Sequence, residues 1–256
     1  MSEQIHIINP SAPHTHTIIL LHGRGSTASE FASEFFESQA SDSRFLAQLL
    51  PTYRWVFPCA ALRHAHIEDE ALHQWFDMAC VQTPYHDPQK LQTAGLRDSL
   101  DFIRGLVEKE AREVGGFERV FLGGISQGCA MAVAACLAVP TPLAGFIAFS
   151  GWCPFAKLGS GDALVEWLRD VVGDSSEPGT AVGVEDIRRA LRIPVLVEHA
   201  LDDEVVPPAL GRDLRDALMA LGAEVRMVEY EDGGHWINEP KGIDDMVHFI
   251  KSKTIA

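Results

Sequence analysis

Six short runs rich in β-branched and aromatic residues constrain the fold more than any other feature of the chain. They are "THTIILLH" (15–22), "RWVF" (54–57), "RVFLGGI" (119–125), "GFIAFS" (145–150), "PVLVEH" (194–199) and "EVRMVEY" (224–230). Several are apolar without alternation, the pattern of strands covered on both faces. Helical patterns lie between them, at 91–114 closed by Gly115, at 127–138, at 208–221 closed by Gly222, and at 240–252. In the first, Leu96, Leu100, Ile103 and Val107 recur at helical spacing and predict one buried stripe. Strands alternating with helices imply right-handed crossovers and a mostly parallel sheet. At 256 residues, 46 % of them hydrophobic, the chain suits one large α/β domain over 1–256, and no repeat or linker divides it.

Two segments fit this alternation poorly. Residues 26–50 read as a helical excursion after the first strand, and 156–190 combine the helix-like "VEWLRDVV" with the loop-like "GDSSEPGTAVG". Insertions at such positions either cover a site as a lid or form plain surface loops.

The net charge of −15 disfavours nucleic acid and anionic membrane surfaces as partners, because both are held by clustered Lys and Arg. The longest apolar run near the N-terminus, "IILL", is too short to cross a bilayer, and no basic region precedes it. Five scattered cysteines, Cys59, Cys80, Cys129, Cys136 and Cys153, lack any CxxC spacing and are expected as buried thiols, with neither a disulfide framework nor a zinc site. A cytoplasmic location is the expectation.

The chemistry starts at "GGISQGC" (123–129), where Ser126 stands between Gly124 and Gly128. The preceding β-rich run ends at Ile125, and the small-residue helix pattern "QGCAMAVAACLA" follows at once, so a strand-turn-helix elbow would lift the hydroxyl above the sheet edge. The helix start would aim its free N–H groups at a reacting oxygen. A serine hydroxyl needs a base, and the base an orienting acid. Of eleven histidines, His235 in "YEDGGHWI" follows the last strand candidate and two glycines, on a loop able to reach the elbow. For the acid, "EHALDDEVVP" offers Asp202, Asp203 and Glu204 at the carboxyl end of the strand at 194–199, and spacing does not choose among them. The order nucleophile, acid, histidine is that of α/β-hydrolases.

Taken in order, "LLHGRGSTASEF", "WVFPCAALR", "QWFDM", "FLGGISQGCAMA", "FSGWCPF", "DDEVVP" and "GGHWI" resemble the acyl-protein thioesterase and carboxylesterase family, also called phospholipase/carboxylesterase. The resemblance implies an α/β-hydrolase fold, with a mostly parallel central sheet, helices on both faces and no large separate cap domain. It implies hydrolysis of esters or thioesters, an S-acylated protein among the candidate substrates, by a serine enzyme that needs no cofactor and no metal. It assigns Ser126 as nucleophile, His235 as base and Asp203, rather than Asp202, as acid. The oxyanion donors fall on the backbone N–H groups of Arg24 and Gln127, and Trp75, Phe76 and Trp152 fall on substrate-binding positions, with Asp77 completing the "WFD" block. The chain departs from the family pattern at Ala200 and Cys129, where glycine is usual, in "LRHAHIEDEALHQW", and in the length of 156–190. These departures leave the catalytic groups in place and bear on the substrate. The alternatives are another hydrolase on this fold, such as a lipase or peptidase, and a non-catalytic binding protein on the same scaffold.

Overall fold

The computed structural model describes residues 4–87, 90–139, 141–159, 161–172 and 184–254. Along the chain come β1 (Ile5–Ile8), β2 (His16–Leu21), α1 (Ala28–Glu37), the short α2 (Leu46–Leu49), β3 (Tyr53–Pro58), β4 (Leu62–Ala65), β5 (Glu70–His73) and α3 (Leu91–Val114). There follow β6 (Val120–Ile125), α4 (Gln127–Ala138), β7 (Gly145–Phe149), α5 (Asp162–Val172), α6 (Val184–Ala190), β8 (Pro194–Ala200), α7 (Pro208–Ala220), β9 (Glu224–Tyr230) and α8 (Lys241–Thr254).

Among the described residues, seven strands make one sheet in the order β1-β3-β2-β6-β7-β8-β9. Every pair is parallel except β1 with β3, where Ile5 faces Pro58 and Ile8 faces Trp55. The six expected strands all belong to this sheet. Sequence reasoning missed β1, a four-residue edge strand, and the antiparallel hairpin β4-β5, which stands apart from the sheet.

Successive residues of β2 feed opposite faces, as the two-residue period of a strand requires. Ile19 and Leu21 join one core with α3, α4, α5 and α7, whereas Ile18 and Leu20 join a second with α1 and α8. The expected stripe Leu96, Leu100, Ile103 and Val107 is fully buried on α3. From Gln127 to Leu137, α4 is buried on every side, and its Ala, Gly and Cys side chains let neighbouring backbones come close. A capping box starts α1: Thr27 Oγ1 accepts from Glu30 N–H at 3.3 Å, and the Glu30 carboxylate accepts from Thr27 N–H at 3.0 Å.

The excursion at 26–50 is helical, as expected, and contributes α1 and α2. In the segment 156–190, α5 packs on α3 and α6 on α4, and none of their residues borders the cleft at Ser126. Residues 173–183, the loop-like part read as a possible cover, lie outside the described residues.

Candidate active site

The parallel strands deliver four loops to one edge of the sheet. Gly23 and Arg24 follow β2, Ser126 follows β6, Asp203 follows β8, and His235 follows β9. Ser126 joins β6 to α4 with φ 57° and ψ −124°, a conformation a non-glycine residue keeps only when its surroundings enforce it. Here its N–H donates to the Phe149 carbonyl at 3.0 Å, and its carbonyl accepts from Ala130 N–H at 3.2 Å. The flanking glycines are a spatial necessity: a Cβ at Gly128 would stand 2.3 Å from the Leu21 oxygen, and one at Gly124 2.7 Å from the same atom. The loop after β2 also comes close, since a Cβ on Gly23 would lie 3.5 Å from that of Ser126.

Ser126 opens on a cleft of about 260 Å³ that it shares with Arg24, His235 and the apolar side chains of Phe31, Val81, Val205 and Trp236. His235 Nδ1 is 2.8 Å from Asp203 Oδ2. The other carboxylate oxygen, Oδ1, accepts from the N–H groups of Val205 and Val206, both at 2.9 Å. Burial alone would raise the Asp203 carboxyl, but hydrogen bonds from His199, His235 and the Val206 N–H outweigh it and hold the group well below the usual carboxylate range. Asp203 is therefore a buried partner for the ring, ionised near neutral pH. Its neighbour Asp202 holds the same loop elsewhere, accepting from Gly234 N–H at 2.9 Å. Gly233 and Gly234 both adopt positive φ, 133° and 61°, which turns the chain to present His235.

Gln127 is the first residue of α4, where a backbone N–H has no acceptor within the helix. Its side chain braces the "WFD" segment: Oε1 accepts from Trp75 N–H at 2.9 Å, and Nε2 donates to the Phe76 carbonyl at 2.8 Å. Arg24 borders the cleft, while its guanidinium turns to the hairpin, donating to Gln74 Oε1 at 3.0 Å and pairing with Glu68. Gly25 N–H donates to the His73 carbonyl at 2.8 Å. The hairpin β4-β5 thus clamps the loop after β2 from outside.

Ser126, Arg24 and His235 come together at the cleft, with Asp203 behind His235 and Gln127 next to the serine. Trp75, Phe76 and Trp152 do not join them. All three are fully buried, with Phe76 and Trp152 in edge contact at 6.5 Å, and Trp75 borders a separate cavity with Cys59 and His73. They brace the loops under the site, and Asp77 does likewise by accepting from His66 N–H at 3.0 Å. The cleft walls are instead Phe31, Val81, Val205 and Trp236; of these Phe31, Val205 and Trp236 lie within the quoted motif blocks, and Val81 carried no signal in the sequence.

His22 was also missed. Its Nδ1–H donates to the Gly23 carbonyl at 2.7 Å, its Nε2 accepts from Ala60 N–H at 2.9 Å, and its own carbonyl accepts from Trp75 Nε1 at 2.8 Å. Burial lowers its pKa to about 4, so the ring is a neutral tie between β2 and the end of β3. The detectable signal was a histidine directly after the apolar run "IILL". Among the cysteines, Cys59, Cys129, Cys136 and Cys153 are buried, while Cys80 is half-buried, against the expectation for all five. Burial pushes the Cys129 thiol far up, and Gly151 makes room for it, since a Cβ there would be 2.5 Å from its sulfur.

Among the described residues no helix is long and apolar enough to cross a membrane, and no group of three or more His, Cys, Asp or Glu is placed to hold a metal ion. The sequence matches the Phospholipase/Carboxylesterase family model over residues 2–162, more than half of the chain. The Prolyl oligopeptidase family model matches residues 85–254, which contain Ser126, Asp203 and His235. Acyl-protein thioesterase 1 of Eremothecium gossypii is 25 % identical over 257 residues, covering 98 % of this chain and 94 % of its own. A relative from Oryza sativa subsp. japonica, named a probable inactive carboxylesterase, is 26 % identical over 233 residues, covering 88 % of this chain and 79 % of its own. The crystal structure of Zea mays acyl-protein thioesterase 2 superposes with a TM-score of 0.72 at 22 % identity, covering 99 % of both chains, and shows the α/β-hydrolase fold. With a family model over the N-terminal 161 positions and thioesterase relatives along nearly the whole length, the chain belongs to the phospholipase/carboxylesterase family.

Proposed function

We propose that the protein hydrolyses carboxylic esters or thioesters through a triad of Ser126, His235 and Asp203. The observation that carries this reading is the 2.8 Å contact from His235 Nδ1 to Asp203 Oδ2 in the cleft onto which the strained elbow opens Ser126. Because Asp203 stays ionised, Nδ1 keeps its proton and Nε2 is left as the free base. His235 takes the Ser126 proton as the oxygen attacks the acyl carbonyl. The resulting oxyanion is received by the backbone N–H groups of Arg24 and Gln127, the latter at the positive end of α4. Imidazolium then protonates the departing alcohol or thiol, and water repeats the sequence on the acyl-enzyme.

The acyl portion would lie against Phe31, Val81, Val205 and Trp236. Relatives named acyl-protein thioesterases support acylated proteins as one substrate class. We read residues 1–256 as one domain, and five free cysteines support a reducing compartment such as the cytoplasm. A relative named probable inactive makes family membership insufficient for activity, and it is the constellation of Ser126, His235 and Asp203 that supports activity here. The prolyl oligopeptidase match favours peptide hydrolysis as a second reading.

A fluorophosphonate probe tests the nucleophile, and turnover of p-nitrophenyl esters, acyl thioesters and a prolyl peptide compared side by side tests the substrate. Labelling of the wild type and not of Ser126→Ala is expected, with ester and thioester turnover above peptide. Equal labelling of both proteins would remove the triad reading.

A further inference from the structure

We propose that His199 is a positioning residue for the reaction, a buried N–H donor that fixes the Asp203 carboxylate before substrate arrives; this rests on the reading of Asp203 as the triad acid. His199 lies on β8, and its ring is fully buried. Its Nε2 is 2.8 Å from the Val206 carbonyl and 3.3 Å from Asp203 Oδ2, the oxygen that also meets His235. A carbonyl only accepts, so Nε2 carries the hydrogen; it donates to Val206, and the same N–H edge of the ring faces Asp203 Oδ2 at 3.3 Å.

The opposite edge of the ring shows what the histidine is there for. Nδ1 has no hydrogen-bond partner although it is buried, and Gly211 of α7 stands against it, where a Cβ would be 2.4 Å away. A bare buried nitrogen is unfavourable, and a phenylalanine of similar size would fill the space without one. What histidine adds over an apolar ring is the Nε2 donor facing the acid.

The contacts close a circuit. Val206 N–H holds Asp203 Oδ1, the Val206 carbonyl holds His199, and His199 reaches Asp203 Oδ2. Both carboxylate oxygens are thereby pinned to β8 and to the 203–206 turn, leaving the side chain no free rotation while it orients His235. Asp203 then has two backbone and two histidine donors, enough to keep a buried carboxylate ionised and in one rotamer.

The test measures kcat and KM for a p-nitrophenyl ester, with thermal unfolding as the control for folding, in His199→Phe, His199→Gln, Gly211→Ala and Asp203→Ala. The Gln amide nitrogen lies as many bonds from the backbone as Nε2 and can donate in its place. His199→Phe is expected to lower kcat about 10- to 100-fold, the usual effect of losing one hydrogen bond to a charged group, with KM nearly unchanged. His199→Gln should regain most of that loss, and Gly211→Ala, which pushes the ring without altering its chemistry, should also lower kcat. Wild-type kcat in folded His199→Phe, or His199→Gln no better than His199→Phe, would overturn the positioning role while an inactive Asp203→Ala left the triad standing. If His199→Phe does not fold, wild-type kcat in Gly211→Ala overturns it instead. An active Asp203→Ala would bring down the triad reading itself.

Discussion

Asp203 and His235 meet through a single 2.8 Å contact, Oδ2 to Nδ1, between loops that leave the adjacent parallel strands β8 and β9. Strand pairing runs to Ala200 opposite Tyr230, so the sheet itself sets the separation of the two loops. Asp203→Asn keeps the side-chain shape and removes the charge that selects the Nδ1–H tautomer. The expected result is a fall in kcat of roughly 10⁴-fold with the fold retained, read by ester turnover beside circular dichroism. Because the carboxyl is held below its ordinary range, the stability it contributes is fully present above that range and is lost progressively as pH falls from it toward the lowered value.

Gly128 tests the elbow. With a Cβ 2.3 Å from the Leu21 oxygen and 2.4 Å from that of His22, Gly128→Ala must move the start of α4 away from β2. Overpacking of this kind costs about 1–3 kcal/mol, and it displaces the Gln127 N–H as well. Urea unfolding should show the stability loss, and kcat should fall more than KM rises. Gly161→Ala, where nothing stands within 4 Å of a Cβ, is the control expected to change neither.

Arg24 separates backbone from side chain. Its guanidinium bonds Gln74 and Glu68 and steadies the loop, while the proposed oxyanion donor is its N–H. Arg24→Ala keeps that N–H but leaves the buried Gln74 oxygen without its donor. A kcat/KM loss of about tenfold is expected, far smaller than for Ser126→Ala. Glu68→Gln should change it by less than about fivefold, since partly exposed ion pairs contribute about 1 kcal/mol or less. Loss of activity in Arg24→Ala equal to that in Ser126→Ala would give the guanidinium a direct role in substrate binding.

Strands and helices were legible where burial imposed a period. The six apolar runs are six strands of the sheet, and the expected helix bounds 91–114 and 127–138 coincide with α3 and α4. The hairpin β4-β5 escaped because "LRHA" and "EALH" are largely exposed and carry no apolar face. Glycines and position singled out Ser126 and His235 in the sequence, and the fold brings both to one cleft. Choosing Asp203 over Asp202 needed the family motif, because both carboxylates bond the His235 region, one through the ring and one through Gly234 N–H. Trp75, Phe76 and Trp152 lie in the layer beneath the cleft and not in its wall, a distinction the sequence does not carry. An aromatic beside a catalytic motif is equally suited to the wall of a cleft and to the layer beneath it, and only the backbone path decides.

His22 links protonation to stability at the base of the site. Burial lowers its pKa to about 4 from the ordinary 6.5, against the weaker opposing effect of its bond to the Gly23 carbonyl. Between those two values the unfolded chain binds a proton that the buried folded ring refuses, and Nε2, the atom that would take it, accepts from the Ala60 N–H. The sign follows: stability falls as pH drops from about 6.5 toward 4 and the effect levels off below, for a total of roughly 3 kcal/mol from this group. His22→Asn can still donate to Gly23 but does not titrate. It should be less stable than the wild type at pH 7, and the gap should narrow steadily on acidification in urea unfolding from pH 7 to 4. Parallel pH dependences for the two proteins would mean that His22 is protonated in the folded state, which would require the Ala60 bond, and with it the tie between β2 and β3 beneath the cleft, to open.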